Sequence, residues 1–202
     1  MTIMTDIAIP KNNENEFIEI ASRLNIKKLY FLYDFDEFTQ KNQKISNLRE
    51  NKNISLETGF LINQKNSNQA AKLSKLLVAK SSENDRFFVE SKKIRLIYGF
   101  EEVDKKDYLH QRASGLNHIL CEIAKKNNVA IGFSYSSLFN KNKSISSILI
   151  GRMMQNIQLC RKYKCEVTIA SFAENSFHLR APHDIKSLFS LLGFVGDGSK
   201  FI

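Results

Sequence analysis

GLNHILCEIAKKNNVAIGFS occupies Gly115–Ser134. Leu116, Ile119, Leu120, Ile123 and Ala124 recur three and four residues apart, which places them on one face of a helix reaching Asn127. VAIGFS, Val129–Ser134, follows at strand length and is apolar at nearly every position. A strand with no polar alternate face is one covered on both sides, as in a parallel sheet. Working outward, the same alternation recurs. Asp6–Ile9, Lys28–Tyr33, Ile54–Ile62, Leu77–Ala79, Arg95–Tyr98 and Glu166–Ser171 are strand candidates. Helical spacing marks Asn15–Asn25, Asn66–Leu77, Asp85–Ser91, Ile145–Lys162 and Ile185–Leu192, the last closed by Gly193. Repeated strand and helix means βα units. Six or more units without a dinucleotide fingerprint fit a compact, TIM-like (β/α) barrel at least as well as an open sheet. The 202 residues suit one domain over 1–202. The polar segment Thr39–Asn53 is expected to be a long loop or short exposed helix.

Thirty Lys+Arg against 21 Asp+Glu give a net charge of +9, which favours a polyanionic partner such as nucleic acid. No apolar run is long enough to span a bilayer. The first residues, MTIMTDIAIPKNN, lack a basic segment followed by an apolar one, so a cytoplasmic protein without membrane partners is expected. Neither G-x-G-x-x-G nor a Walker motif is present, which argues against nucleotide-cofactor enzymes. Cys121, Cys160 and Cys165 show no zinc-ligand spacing, and Cys121 reads as a reduced buried thiol. No bound cofactor or metal is expected.

His178 and His183 flank Arg180 in FHLRAPHD after the strand EVTIAS. Two histidines in one loop keep a second reading open, a metal-dependent phosphoesterase-like barrel, although further ligands are not evident. The basic residues are more telling. Arg112 precedes the helix of the opening stretch, after Lys105 and Lys106. Lys141 and Lys143 follow the strand VAIGFS, and Arg152, Arg161, Lys162 and Lys164 lie along or just past the long helix. In a βα barrel the loops after the strands share one face. Lys141, Lys143 and Arg180 would then meet there and grip phosphates. The plain alternative for Arg180 is an ion pair with Asp184.

Arg112–Phe139 and Ile145–Phe194 together resemble the ribonuclease P protein component 3 family, also called the p30 subunit. The resemblance rests on AKKNNVAI, GFSYSSL, a long helix with Arg152, Asn156 and CRKYK, then TIAS, and the pattern of Leu179, Arg180, Pro182 and Asp184 before LLGF. The N-terminal half fits more loosely. The resemblance implies a compact barrel related in shape to metal-dependent phosphoesterases but without their metal site, and the first strand here lacks an H-x-H pair. It implies an RNA-binding subunit of the endoribonuclease that removes 5′ leaders from precursor tRNAs, assembled with a catalytic RNA, protein component 2 and other subunits. Hydrolysis and its Mg²⁺ would belong to the RNA, and this chain would have no catalytic residue. Arg112, Lys141, Lys143, Arg152 and Arg180 are the expected RNA-binding residues. Pro182 is expected to set its loop, and Asp184 to cap the last helix or hold Arg180.

Overall fold

The computed structural model describes residues 5–38, 54–104, 106–108, 110, 112–139 and 143–195. Thr39–Asn53, Lys105 and Lys141 lie outside them. Seven strands form one sheet in sequence order: β1 (Thr5–Ala8), β2 (Lys28–Asp34), β3 (Ser55–Leu61), β4 (Leu77–Lys80), β5 (Leu96–Tyr98), β6 (Ala130–Ser134) and β7 (Val167–Ala170). Every pairing is parallel. Between them run α1 (Glu14–Arg23), α2 (Ser67–Ala70), α3 (Asp85–Glu90), α4 (His118–Asn127) and α5 (Lys143–Tyr163), and α6 (Pro182–Leu191) follows β7.

The sheet curls until its edges meet just beyond β7. Ala8 bridges Ala173, and the Ile9 N–H donates to the Ala173 carbonyl at 2.8 Å. Side chains reinforce the seam. The Ser171 N–H donates to Asp6 Oδ1 at 2.7 Å, and Ser171 Oγ donates to the Ile7 carbonyl at 3.0 Å. The result is a nearly closed, TIM-like (β/α) barrel, as the strand pattern anticipates.

Both faces of most strands are buried, which accounts for their apolar character; β3 is the exception, with Ser55 and Glu57 exposed. Ile7, Tyr30, Leu32, Val78, Leu96, Tyr98, Ala130 and Ala170 cluster together, and with Phe172 they fill the lumen. The alternate residues Phe31, Tyr33, Ala79, Ile97, Ile131, Phe133 and Ile169 pack in separate clusters with helix residues. Gly132 is small because a Cβ there would lie 2.8 Å from that of Tyr98.

One element is much shorter than its spacing predicts. The helix expected over Asn66–Leu77 ends after Ala70. Ser74 Oγ donates to the Thr58 carbonyl at 3.0 Å and accepts the Leu76 N–H at 3.1 Å, drawing the chain out of the helix and into β4. α5, by contrast, begins two residues earlier than expected and runs for 21 residues. Among the described residues, no helix is long and apolar enough to cross a membrane.

Candidate nucleic-acid interface

The loops after β6 and β7 leave the same end of the barrel and are tied together by serines. After β6 the chain enters a 3-10 turn, Ser136–Leu138. The Ser136 N–H donates to the Ser171 carbonyl at 2.9 Å, and Ser136 Oγ to the Phe172 carbonyl at 3.0 Å. Ser137 Oγ turns back onto the Ser134 carbonyl at 2.9 Å. The small hydroxyls of SYSSL thus do locally what a ladder does within the sheet. They deliver Phe139 to the rim of the barrel, 39% exposed.

The β7 loop brings the partners of Phe139. Asn175 caps a second 3-10 turn, Ser176–His178, by accepting the Phe177 N–H at 3.0 Å. Leu179 is buried and anchors the loop. Arg180 Nη1 donates to the Phe177 and Leu179 carbonyls, both at 2.7 Å. That grip sets the Arg180 guanidinium 4.9 Å from the Phe139 ring centroid. The His178 ring stacks on Phe139 at 5.2 Å and 23°, and Tyr135 meets it edge-on at 4.9 Å. Phe177 projects beside them, 73% exposed. A rim of exposed rings beside a guanidinium can stack on an unpaired base while the cation meets the neighbouring phosphate.

Lys143, four residues after Phe139, opens α5 and is exposed. Pro182 is the first residue of α6, where its missing N–H costs nothing. Asp184 lies in the first turn of α6, where the helix dipole favours a carboxylate, but the residue at the cap is Ala181 and makes no side-chain cap bond. Asp184 Oδ1 lies 3.7 Å from His183 Nδ1, and no ion pair among the described residues joins it to Arg180. The expectation that it caps α6 or holds Arg180 is therefore corrected: two carbonyls and a ring hold Arg180.

Arg152 needs a larger correction. Expected to bind RNA, it is buried, with 4% of its surface exposed. Its Nε donates to Asp107 Oδ1 at 2.9 Å, and Nη2 pairs with the same oxygen at 2.9 Å. Nη1 donates to the Glu101 and Val103 carbonyls at 2.9 and 2.7 Å. A guanidinium so enclosed has no face for a phosphate. It pins the loop after β5 to α5. Asn156, one turn on, donates to Glu101 Oε1 at 3.2 Å and accepts from Ser114 Oγ at 2.6 Å. Burial pushes the Glu101 carboxyl up to about 7, although its own N–H, Asn156 and Arg152 oppose the shift. Asp107 moves the other way. Its burial penalty is outweighed by the Ala113 N–H and Arg152, which hold it below the usual carboxylate range.

Arg112 is exposed and lies on the outside of the same network. Its backbone exchanges hydrogen bonds with the Gln155 amide, and its Nη1 lies 3.6 Å from Asp107 Oδ2. The guanidinium rests on α5 over Gly151, where a Cβ would stand 2.3 Å from Arg112 Cζ. Glycine here is a matter of space.

A cleft of about 190 Å³ opens at the same end of the barrel, lined by Lys80, Tyr98, Glu102, Ser134, Phe172 and Glu174 among others. Lys80 pairs with Glu102 at 2.9 Å, and Tyr98 stacks on Phe172 at 4.2 Å. Among the described residues, no histidine lines it. His178 stands against Phe139 and His183 against Asp184, so the loop that kept a phosphoesterase reading open does not assemble a ligand set. Among the described residues, the one group of three potential metal ligands is Cys121, Cys160 and Cys165. The stacked ring escaped a reading focused on charge, although the Phe139 position follows directly from SYSSLF.

Comparison with known proteins gives a consistent picture. A family model described as RNase P subunit p30 matches residues 105–201. Ribonuclease P protein component 3 of Methanosarcina acetivorans is 34% identical over 86 residues, which are 43% of this chain and 36% of that protein. The Thermococcus kodakarensis protein of the same name is 39% identical over 74 residues, 37% of this chain and 34% of that one. These matches thus span about a third of the relatives' own length. The Methanocaldococcus jannaschii protein, also ribonuclease P protein component 3, is 22% identical over 192 residues, 92% of this chain and 82% of that protein. A chain in a cryo-EM structure of archaeal ribonuclease P with mature tRNA shares the fold. The TM-score is 0.76 at 19% identity, over 93% of this chain and 83% of that one.

Proposed function

We propose, from the match of residues 105–201 to the RNase P subunit p30 family model and the likeness to ribonuclease P protein component 3 of several archaea, that this chain is an RNA-binding protein subunit of ribonuclease P. One barrel domain over 1–202 supports the catalytic RNA in removing 5′ leaders from precursor tRNAs. Hydrolysis and its Mg²⁺ belong to the RNA, and the protein supplies contacts and positive charge. Protein component 2 and further protein subunits are its partners, in the cytoplasm.

The observation that carries the reading is the rim cluster of Phe139, Arg180, His178 and Phe177, inside the family-matched half. Its exposed rings, Phe177 most of all, offer stacking surface that is indifferent to base identity, and Arg180 and Lys143 offer charge for phosphates. Phe139→Ala and Arg180→Ala are each expected to weaken binding to the catalytic RNA by roughly 5- to 100-fold, the scale of one lost base stack. Affinity of the native chain should fall steeply as salt rises. Folded Phe139→Ala protein that binds the RNA as the native chain does would overturn the reading.

A further inference from the structure

Far from this rim, where α5 ends, three sulfurs converge that the linear sequence keeps apart. Cys121 is on α4, Cys160 is in the last turn of α5, and Cys165 lies two residues beyond that helix. Lys164 adopts a left-handed conformation, φ 56°, and the Cys165 N–H donates to the Cys160 carbonyl at 2.9 Å. This tight turn folds Cys165 back over the helix end, with its Sγ 3.3 Å from the Cys121 carbonyl. The three Sγ atoms all lie within 4.8 Å of one another, and all three thiols are free.

Burying a single cysteine needs no explanation beyond packing. Three whose sulfurs meet at one point are a ligand set. Sulfurs bound to one ion at about 2.3 Å each sit roughly 4 Å apart, so modest side-chain rotation closes the group around a cation. Access exists as well. Cys160 and Cys165 line a cleft of about 390 Å³ together with Arg161, Lys164, Glu166 and Phe194. The cleft carries two cations, Arg161 and Lys164, beside one carboxylate, Glu166, which pairs with Arg95 at 3.0 Å. Three thiolates around a monovalent or divalent ion leave net negative charge, which the two cations offset.

We propose that Cys121, Cys160 and Cys165 form a three-thiolate site for a soft, thiophilic cation, Cu(I) or Zn(II), entered from the cleft beside Lys164. Thiolate sulfur selects these ions over Mg²⁺ or Ca²⁺. Among the described residues no fourth His, Cys, Asp or Glu joins the group. Cu(I) would therefore sit in trigonal sulfur coordination, whereas Zn(II) would keep a fourth position open toward the cleft. Bound there, the ion fastens α4 to the end of α5 and to the start of β7. It takes no part in the chemistry of the RNA.

The test is a titration of the full chain, reduced and anaerobic, with Zn²⁺ alone and separately with Cu(I) presented by a chromophoric chelator. Alkylation of the thiols is counted by mass spectrometry with and without the ion. One equivalent of at least one ion should bind and protect all three cysteines, and the arm that does so identifies the ion. Cys165→Ser, at a half-exposed position, should weaken binding at least tenfold without loss of fold. Absence of stoichiometric binding by either ion would overturn the proposal. So would a Cys165→Ser chain that binds as the native does. An intramolecular disulfide that forms in the chain purified without reductant, with no metal uptake after reduction, would do the same.

Discussion

Arg152 and Arg180 lie 28 positions apart in the same basic half, and the structure uses them in opposite ways. Arg152 is enclosed, and Asp107 and two carbonyls take up its guanidinium. Arg180 is anchored by one nitrogen and turns its plane onto an exposed ring. The difference arises from what each stretch packs against. α5 runs back along the barrel, and its inward face carries Leu149, Gly151, Arg152, Met153 and Asn156 toward the protein. The β7 loop rides over the rim and buries Leu179, leaving its neighbours outside. An arginine therefore signals RNA contact only once its carboxylate partners are known.

The largest effect that separates the two is on stability. Arg152→Ala leaves Asp107 with only the Ala113 N–H and the more distant Arg112, and two carbonyls without their donor, and is expected to cost about 3–5 kcal/mol in urea unfolding. A loss below about 1 kcal/mol, the range of a surface ion pair, would break the contrast. Glu101, beside Arg152, sharpens it through pH. Its folded value is raised from 4.5 to about 7 by burial, so its contribution to stability is complete below about pH 4.5 and is lost as pH rises through 7. Glu101→Gln should flatten that dependence and stabilise the protein at pH 8 by on the order of 3 kcal/mol. An unchanged pH profile by thermal melting would show that Glu101 is not the group responsible.

On the exposed side the order reverses, with small changes in stability and larger ones in binding. Arg180→Ala should shift unfolding by less than about 1 kcal/mol while weakening RNA binding as above. The smallest effect is at Gly151. A methyl group there meets the flexible end of Arg112, so Gly151→Ala should displace that guanidinium and change stability by about 1 kcal/mol or less. If Arg112 touches a phosphate, RNA affinity should fall roughly 2- to 5-fold. Filter binding and a melt on the same preparation separate the two.

The barrel was legible because apolar strands and helical spacing are local signals, and Gly115–Ser134 displays both within 20 residues. Asn66–Leu77 was misread because its helical spacing is real, but a Ser74 hydroxyl bonded to Thr58 ends the helix early. The site was only half legible. Positive charge marks a polyanion partner, yet it cannot say that Asp107, 45 residues away, encloses Arg152. Nor can spacing along the chain bring Cys121 to Cys160 and Cys165. That meeting depends on two helices and a left-handed Lys164.

The most direct measurement is reconstituted cleavage of precursor tRNA at low Mg²⁺, with the catalytic RNA, component 2 and this chain. The native chain should raise 5′-leader removal, and a folded Phe139→Ala, Arg180→Ala double variant at the same concentration should lose most of that gain. A native chain that neither binds the RNA nor changes cleavage would contradict the subunit function itself, and a double variant as effective as the native would contradict the rim as its RNA contact.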